Sequence, residues 1–146
     1  MKNLYQLVEC FRFAIEEAVA NREFYGDCRF QSFPRGCCDD TCDLLAEFLA
    51  EHNIKTLQVV GDYYDGNPEN NTSHAWLCLD EEIIIDITGD QFKWDNTFLR
   101  FDKPIYIGPK TDFYRLFEIR NVAESCNIHN NPRLADIFER LQKYLK

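Results

Sequence analysis

Apolar residues recur at helical spacing in three parts of the chain and follow strand-like patterns between them. Leu4, Leu7, Val8, Phe11, Ile15, Ala18 and Val19 fall three and four apart and predict a helix over about 3–21. From Cys38 onward, Cys42, Leu45 and Leu49 repeat the spacing, while Asp39, Asp43, Glu47 and Glu51 step by fours down the opposite side, predicting a helix over about 38–52. Near the end, Asn131 can cap a helix with Pro132 in its first turn and Leu134, Ile137, Phe138, Leu141 and Leu145 on one face. Between these helices the composition turns β-branched and aromatic. "IKTLQVVGDYY" reads as a strand stopped by the turn-forming "DGNPENN", followed by strands at "SHAWLCL", "IIIDIT", "PIYIG" and "YRLFEI". Helices first, strands in succession, then a helix is the order of an α+β fold with a mainly antiparallel sheet flanked by an N-terminal and a C-terminal helix.

A length of 146 residues with 45% hydrophobic content fits a single domain spanning 1–146. The net charge of −9 argues against nucleic acid, whose phosphates require clustered Lys and Arg. Glu9, Glu16 and Glu17 interrupt the first apolar pattern, so it predicts neither a signal peptide nor a membrane span, and the expected location is cytoplasmic. Seven cysteines, an odd number with no export signal, are expected as reduced thiols. The oligomeric state is not legible.

Two of those cysteines, Cys37 and Cys38, are adjacent and open the second helix, where the macrodipole and free N–H groups favour a thiolate. A nucleophile there needs a base and a group to orient the base. Of the three histidines, His52 sits at a helix end and His129 in the polar "NIHNNP" loop, both positions with ordinary explanations. His74 instead starts a strand and alternates on one face with Trp76 and Cys78. If Asp80, Glu81 and Glu82 form a hairpin loop, Leu79 pairs with Ile83, Trp76 falls opposite Asp86, and Asp86 lies diagonal to His74 on the same face. A carboxylate among Ile83, Ile84, Ile85 and Ile87 needs a partner, which an imidazole N–H supplies. Asp90 shares the parity of Asp86 and is the alternative orienting acid. Four cysteines, Cys28, Cys37, Cys38 and Cys42, lie close enough to raise a zinc site, but no Cys-x-x-Cys pair exists and adjacent sulfurs suit a tetrahedral ion poorly, so no metal is expected.

The succession "GCCDDTCDLLAEFLAEHNI", "VVGDYY", "SHAWLCL" and "IIIDITGDQF" resembles the transglutaminase-like superfamily of papain-fold cysteine enzymes over about residues 35–92. Gly36-Cys37-Cys38 matches the family's Gly-x-Cys, His74-Ala75-Trp76 its His-Ala-Trp, and Asp86-Ile87-Thr88 its Asp-Pro-Thr with Ile87 replacing proline. The resemblance implies a papain-like core with the nucleophile helix packed on the sheet. It also implies a triad of Cys38, His74 and Asp86 that transfers or hydrolyses an acyl group at an amide through a thioester, with no cofactor. Cys37 is then the alternative nucleophile. Gln31, seven residues before Cys38, is placed like the oxyanion glutamine of papain-like proteases. The implied substrate is a peptide or protein amide, or a small amide; the other class of function open to such a fold is an inactive binding or inhibitory module.

Overall fold

The computed structural model describes residues 2–145. Helix α1, Leu4–Ala20, starts at a reciprocal cap: the Asn3 side chain accepts from the Gln6 N–H at 2.9 Å and the Gln6 side chain accepts from the Asn3 N–H at 3.0 Å. Its apolar stripe buries Leu7, Val8, Phe11, Ile15 and Ala18. Helix α2, Cys38–Glu51, buries Leu44, Leu45, Phe48 and Leu49 and ends where Asn53 turns left-handed at φ 63°, a conformation asparagine tolerates at helix ends. Ahead of it Gly36 is itself left-handed at φ 71°, which sets the direction from which the chain enters the helix.

Strands β1, Leu57–Tyr63, β2, Thr72–Leu79, β3, Ile83–Asp86, β4, Tyr106–Gly108, and β5, Glu118–Ala123, form one sheet in the order β4-β3-β2-β1-β5 with every neighbouring pair antiparallel. Leu79 pairs with Ile83 and Leu77 with Ile85, the register that the three-residue loop predicts; Asp80 and Glu81 are left-handed within it. Helix α3 is a single turn, Asp112–Arg115, and α4, Pro132–Leu141, is capped by the Asn131 side chain, which accepts from the Leu134 N–H at 3.2 Å.

The sheet is covered on both faces, and differently. Ala75, Leu77 and Ile85 join a core made with α1, α2 and α4, including Phe11, Ile15, Leu45, Leu49 and Ile137. Val59, Trp76 and Ile84 belong to a second core closed by Phe92, Leu99, Phe113, Tyr114 and Phe117. Burying both faces of β2 explains why its sequence carries apolar residues at successive positions rather than strict alternation. Over the described residues the fold is α+β, with four α-helices and a five-stranded antiparallel sheet.

One predicted element moves. The strand expected at "YRLFEI", residues 114–119, is replaced by the α3 turn, and extended structure begins only at Glu118. A strand over 114–119 would send Tyr114 and Phe117 to opposite faces, whereas one helical turn lets Phe113, Tyr114 and Phe117 all enter the second core. Among the described residues no helix is long and apolar enough to cross a membrane.

Candidate active site

Asp86 ends β3 with its carboxylate fully buried, and all of its surroundings donate to it. His74 Nε2 lies 2.8 Å from Oδ2 and the Tyr114 hydroxyl donates to the same oxygen at 2.9 Å, while the Thr88 N–H donates to Oδ1 at 3.0 Å. Burial pushes the Asp86 acid upward, but His74 and these donors outweigh it and hold the carboxyl below its usual range. The hairpin supplies the geometry: β2 and β3 are adjacent strands, so residues 12 apart in sequence meet diagonally on one face.

His74 has no solvent exposure. Its ring packs against Trp76, Phe92, Phe113 and Phe117 with centroid separations of 5.3–6.1 Å. Phe117 reaches that position because Gly61 of β1, paired with His74 on one side and Ile119 on the other, has no side chain; a Cβ there would stand 2.7 Å from the Phe117 Cβ. Burial by itself lowers the imidazole pKa, but the Asp86 charge and hydrogen bond raise it further than burial lowers it, and hydrogen bonding and charge at the Cys38 thiol push the same way. With Nε2 committed to Asp86, Nδ1 is the ring atom left for other partners, and the Gln91 amide nitrogen lies 3.2 Å from it.

Cys38 is the first residue of α2 and is half-buried. No side chain caps this helix at Cys37, so the N–H groups of its first turn have no intrahelical acceptor and no capping oxygen. Cys37 faces the other way. It is buried in the helical core, its sulfur accepts from the Thr41 hydroxyl at 3.7 Å, and burial pushes its thiol up to about 12, so the alternative nucleophile is a packing residue. Cys42 is likewise buried with its thiol pushed up.

The alternative acid is also occupied elsewhere. Asp90 forms a two-pronged pair with the buried Arg12, at 2.9 Å and 2.8 Å, and Arg12 further donates to the Ile87 carbonyl at 2.6 Å. It therefore ties α1 to the turn after β3 instead of orienting His74. Gln31 is exposed in a short turn, Phe30–Ser32, with its N–H on the Asp27 carbonyl at 2.9 Å and no side-chain hydrogen bond to Cys38 or His74. His52 ends α2 against Phe48, and His129 pairs with Glu47 at 3.1 Å.

Three contributors to the site carry no sequence signal of their own: Gln91, Tyr114 and Arg12. Gln91 follows the Asp86 turn closely enough for its contact to be a guess from proximity, but Tyr114 and Arg12 arrive from 28 and 78 residues away along the chain, as the Asp86 and Asp90 contacts count it. Among the described residues no set of three His, Cys, Asp or Glu side chains is placed to hold a metal ion. The site can therefore offer a thiol, an imidazole anchored by a buried carboxylate, and amide donors. No protein-family model, curated protein or solved structure matches this chain.

Proposed function

We propose that the chain is a cysteine-dependent acyltransferase or hydrolase acting at an amide bond, built on a papain-like, transglutaminase-like core. The observation that carries this reading is the buried His74–Asp86 pair, 2.8 Å apart, in a chain that also sets the half-buried Cys38 at a helix N-terminus. His74 Nδ1 takes the thiol proton, and Asp86 stabilises the resulting imidazolium through Nε2. The sulfur bonds to the amide carbonyl carbon as the C=O π pair moves to oxygen. When that pair returns, the C–N bond breaks, Nδ1 gives its proton to the leaving amine, and a thioester remains on Cys38. Water or a second amine then gives a proton to Nδ1 as it bonds to the thioester carbon, and when the C=O re-forms the C–S bond breaks, the acid or new amide leaves, and the Cys38 sulfur takes the proton back from Nδ1. The substrate is a peptide, protein or small-molecule amide, and no residue role above calls on a cofactor.

Thiol labelling tests the reading. An ordinary thiol is only a few per cent thiolate at pH 7, so Cys38 should react with iodoacetamide about tenfold faster than the exposed Cys28, as read by peptide mass spectrometry. Cys38→Ser should abolish turnover and leave the fold intact. One observation favours a second reading, an inactive binding module: His74 is fully buried under four aromatic rings, as a purely structural His–Asp pair would be. In that case Cys38 would label no faster than Cys28.

A further inference from the structure

The segment that leads into Cys38 and the turn that follows Asp86 meet on one buried side chain. We infer that Arg12 is a positioning residue for the proposed reaction: the face of its guanidinium holds the first segment, its edge holds the second, and that single group sets the thiol against the imidazole. This rests on the reading of Cys38 as nucleophile and His74 as base.

Arg12 projects from the middle of α1 and is buried. Its in-plane donors go to the turn after β3. Nη1 donates to the Ile87 carbonyl at 2.6 Å and to Asp90 Oδ1 at 2.9 Å, Nη2 donates to Asp90 Oδ2 at 2.8 Å, and Nε donates to Glu16 at 2.9 Å. The Ile87 carbonyl and the Thr88 N–H belong to one planar peptide group, and that N–H donates to Asp86 Oδ1 at 3.0 Å. Arg12 therefore grips one end of the peptide whose other end holds the carboxylate on which His74 is anchored. The direction perpendicular to the guanidinium serves the Cys38 side. Its central carbon stands 4.7 Å from the centroid of the Phe33 ring, within cation–π range. Phe33 begins the stretch that ends at Cys37 and Cys38, and its ring packs on the helical core. The earlier end of this loop is fastened separately, by Arg133 on Asp27 at 2.7 and 3.0 Å. No side chain caps α2 at Cys37, so the direction in which the chain enters the helix is left to the segment that Phe33 fastens. A guanidinium can hold both because its N–H groups lie in its plane and leave the faces free; a lysine ammonium is a point charge with neither fork nor face.

Two substitutions separate alignment from stability and from charge. Phe33→Leu takes the ring off the guanidinium face and leaves the polar partners of Arg12 in place; Arg12→Lys keeps the positive charge and gives up the planar fork. In each, with folding verified by circular dichroism, the roughly tenfold excess of Cys38 over Cys28 in iodoacetamide labelling should fall to about threefold or less. In Phe33→Leu the titration of His74, followed by NMR on histidine-labelled protein, should match that of the unmodified protein, because Arg12 still grips the Ile87 carbonyl. A Phe33→Leu protein that melts lower yet keeps the full Cys38 excess makes the contact one of packing and overturns the assignment. So does an Arg12→Lys protein that keeps the full excess, since charge alone would then suffice, and so does a Phe33→Leu protein in which His74 shifts along with the loss at Cys38, since the whole site would then have loosened. The reading beneath fails on a different arm: if Cys38 of the unmodified protein labels no faster than Cys28, there is no activated thiol to align, and the Arg12 role falls with it.

Discussion

Replacing Asp86 by asparagine conserves shape and removes one charge from the most buried polar cluster in the molecule. An asparagine oxygen can keep only one of two obligations. If it accepts from the Thr88 N–H, as Oδ1 does at 3.0 Å, the NH₂ faces both His74 Nε2 and the Tyr114 hydroxyl, which now sit 2.8 and 2.9 Å from Oδ2. The imidazole proton is then forced to Nδ1, where it can neither accept the thiol proton nor receive the Gln91 N–H. Loss of the working tautomer costs acyl transfer about 10⁴-fold. Removing one member of a buried, hydrogen-bonded ion pair costs about 3–5 kcal/mol, and because asparagine keeps the Thr88 contact the lower end, about 3 kcal/mol, is expected. For a chain of this size that corresponds to a melting-point loss of about 6–12 °C, measurable by circular dichroism. The loss should depend on pH. His74 is raised by Asp86, so its contribution is complete below the unfolded histidine value of about 6.5 and fades as pH climbs toward the raised folded value. Asp86 is lowered, so its contribution is complete above about 3.9 and fades as pH falls below that. The pair therefore stabilises most between about pH 4 and 6.5, and the gap between the two proteins should widen from pH 8 to pH 5. A gap that stays flat over that range would falsify the charged pair and, with it, the claim that Asp86 stabilises an imidazolium.

Two further substitutions probe how the site is held. Gly61→Ala places a Cβ 2.7 Å from the Phe117 Cβ and must push that ring off His74, so urea titration should give a loss of about 1–3 kcal/mol, and an unchanged midpoint would mean that Phe117 is free to move. Arg12→Met leaves Asp90 without its two-pronged partner and the Ile87 carbonyl without its donor, so a destabilisation of about 3–5 kcal/mol is expected, on the order of 10 °C in melting point. If Asp90→Asn combined with Arg12→Met recovers none of that loss, the cost lies in the carbonyl contacts and packing rather than in the stranded carboxylate.

The sequence by itself determined what depends on neighbours along the chain. The apolar stripes of α1, α2 and α4 follow from helical periodicity, and the His74–Asp86 contact follows from alternation plus a three-residue loop, because a hairpin with fixed register leaves no freedom over which side chains meet. The placement of Cys38 at a helix start is equally local. Only the tertiary structure decided which groups come to that hairpin from elsewhere. Tyr114 and Phe117 look like strand residues, yet with Phe113 they form a helical turn and its exit because burying three rings in one core outweighs a strand preference. Asp90 has the right parity to orient His74, but Arg12 lies 78 residues away in sequence and claims both of its oxygens. Cys37 and Cys38 are indistinguishable as letters; packing separates them, sending the Cys37 sulfur into the helical core and leaving Cys38 half-buried at the start of α2. Periodicity records which face of an element is buried, whereas the identity of the group buried against it is set by long-range packing that no local spacing encodes.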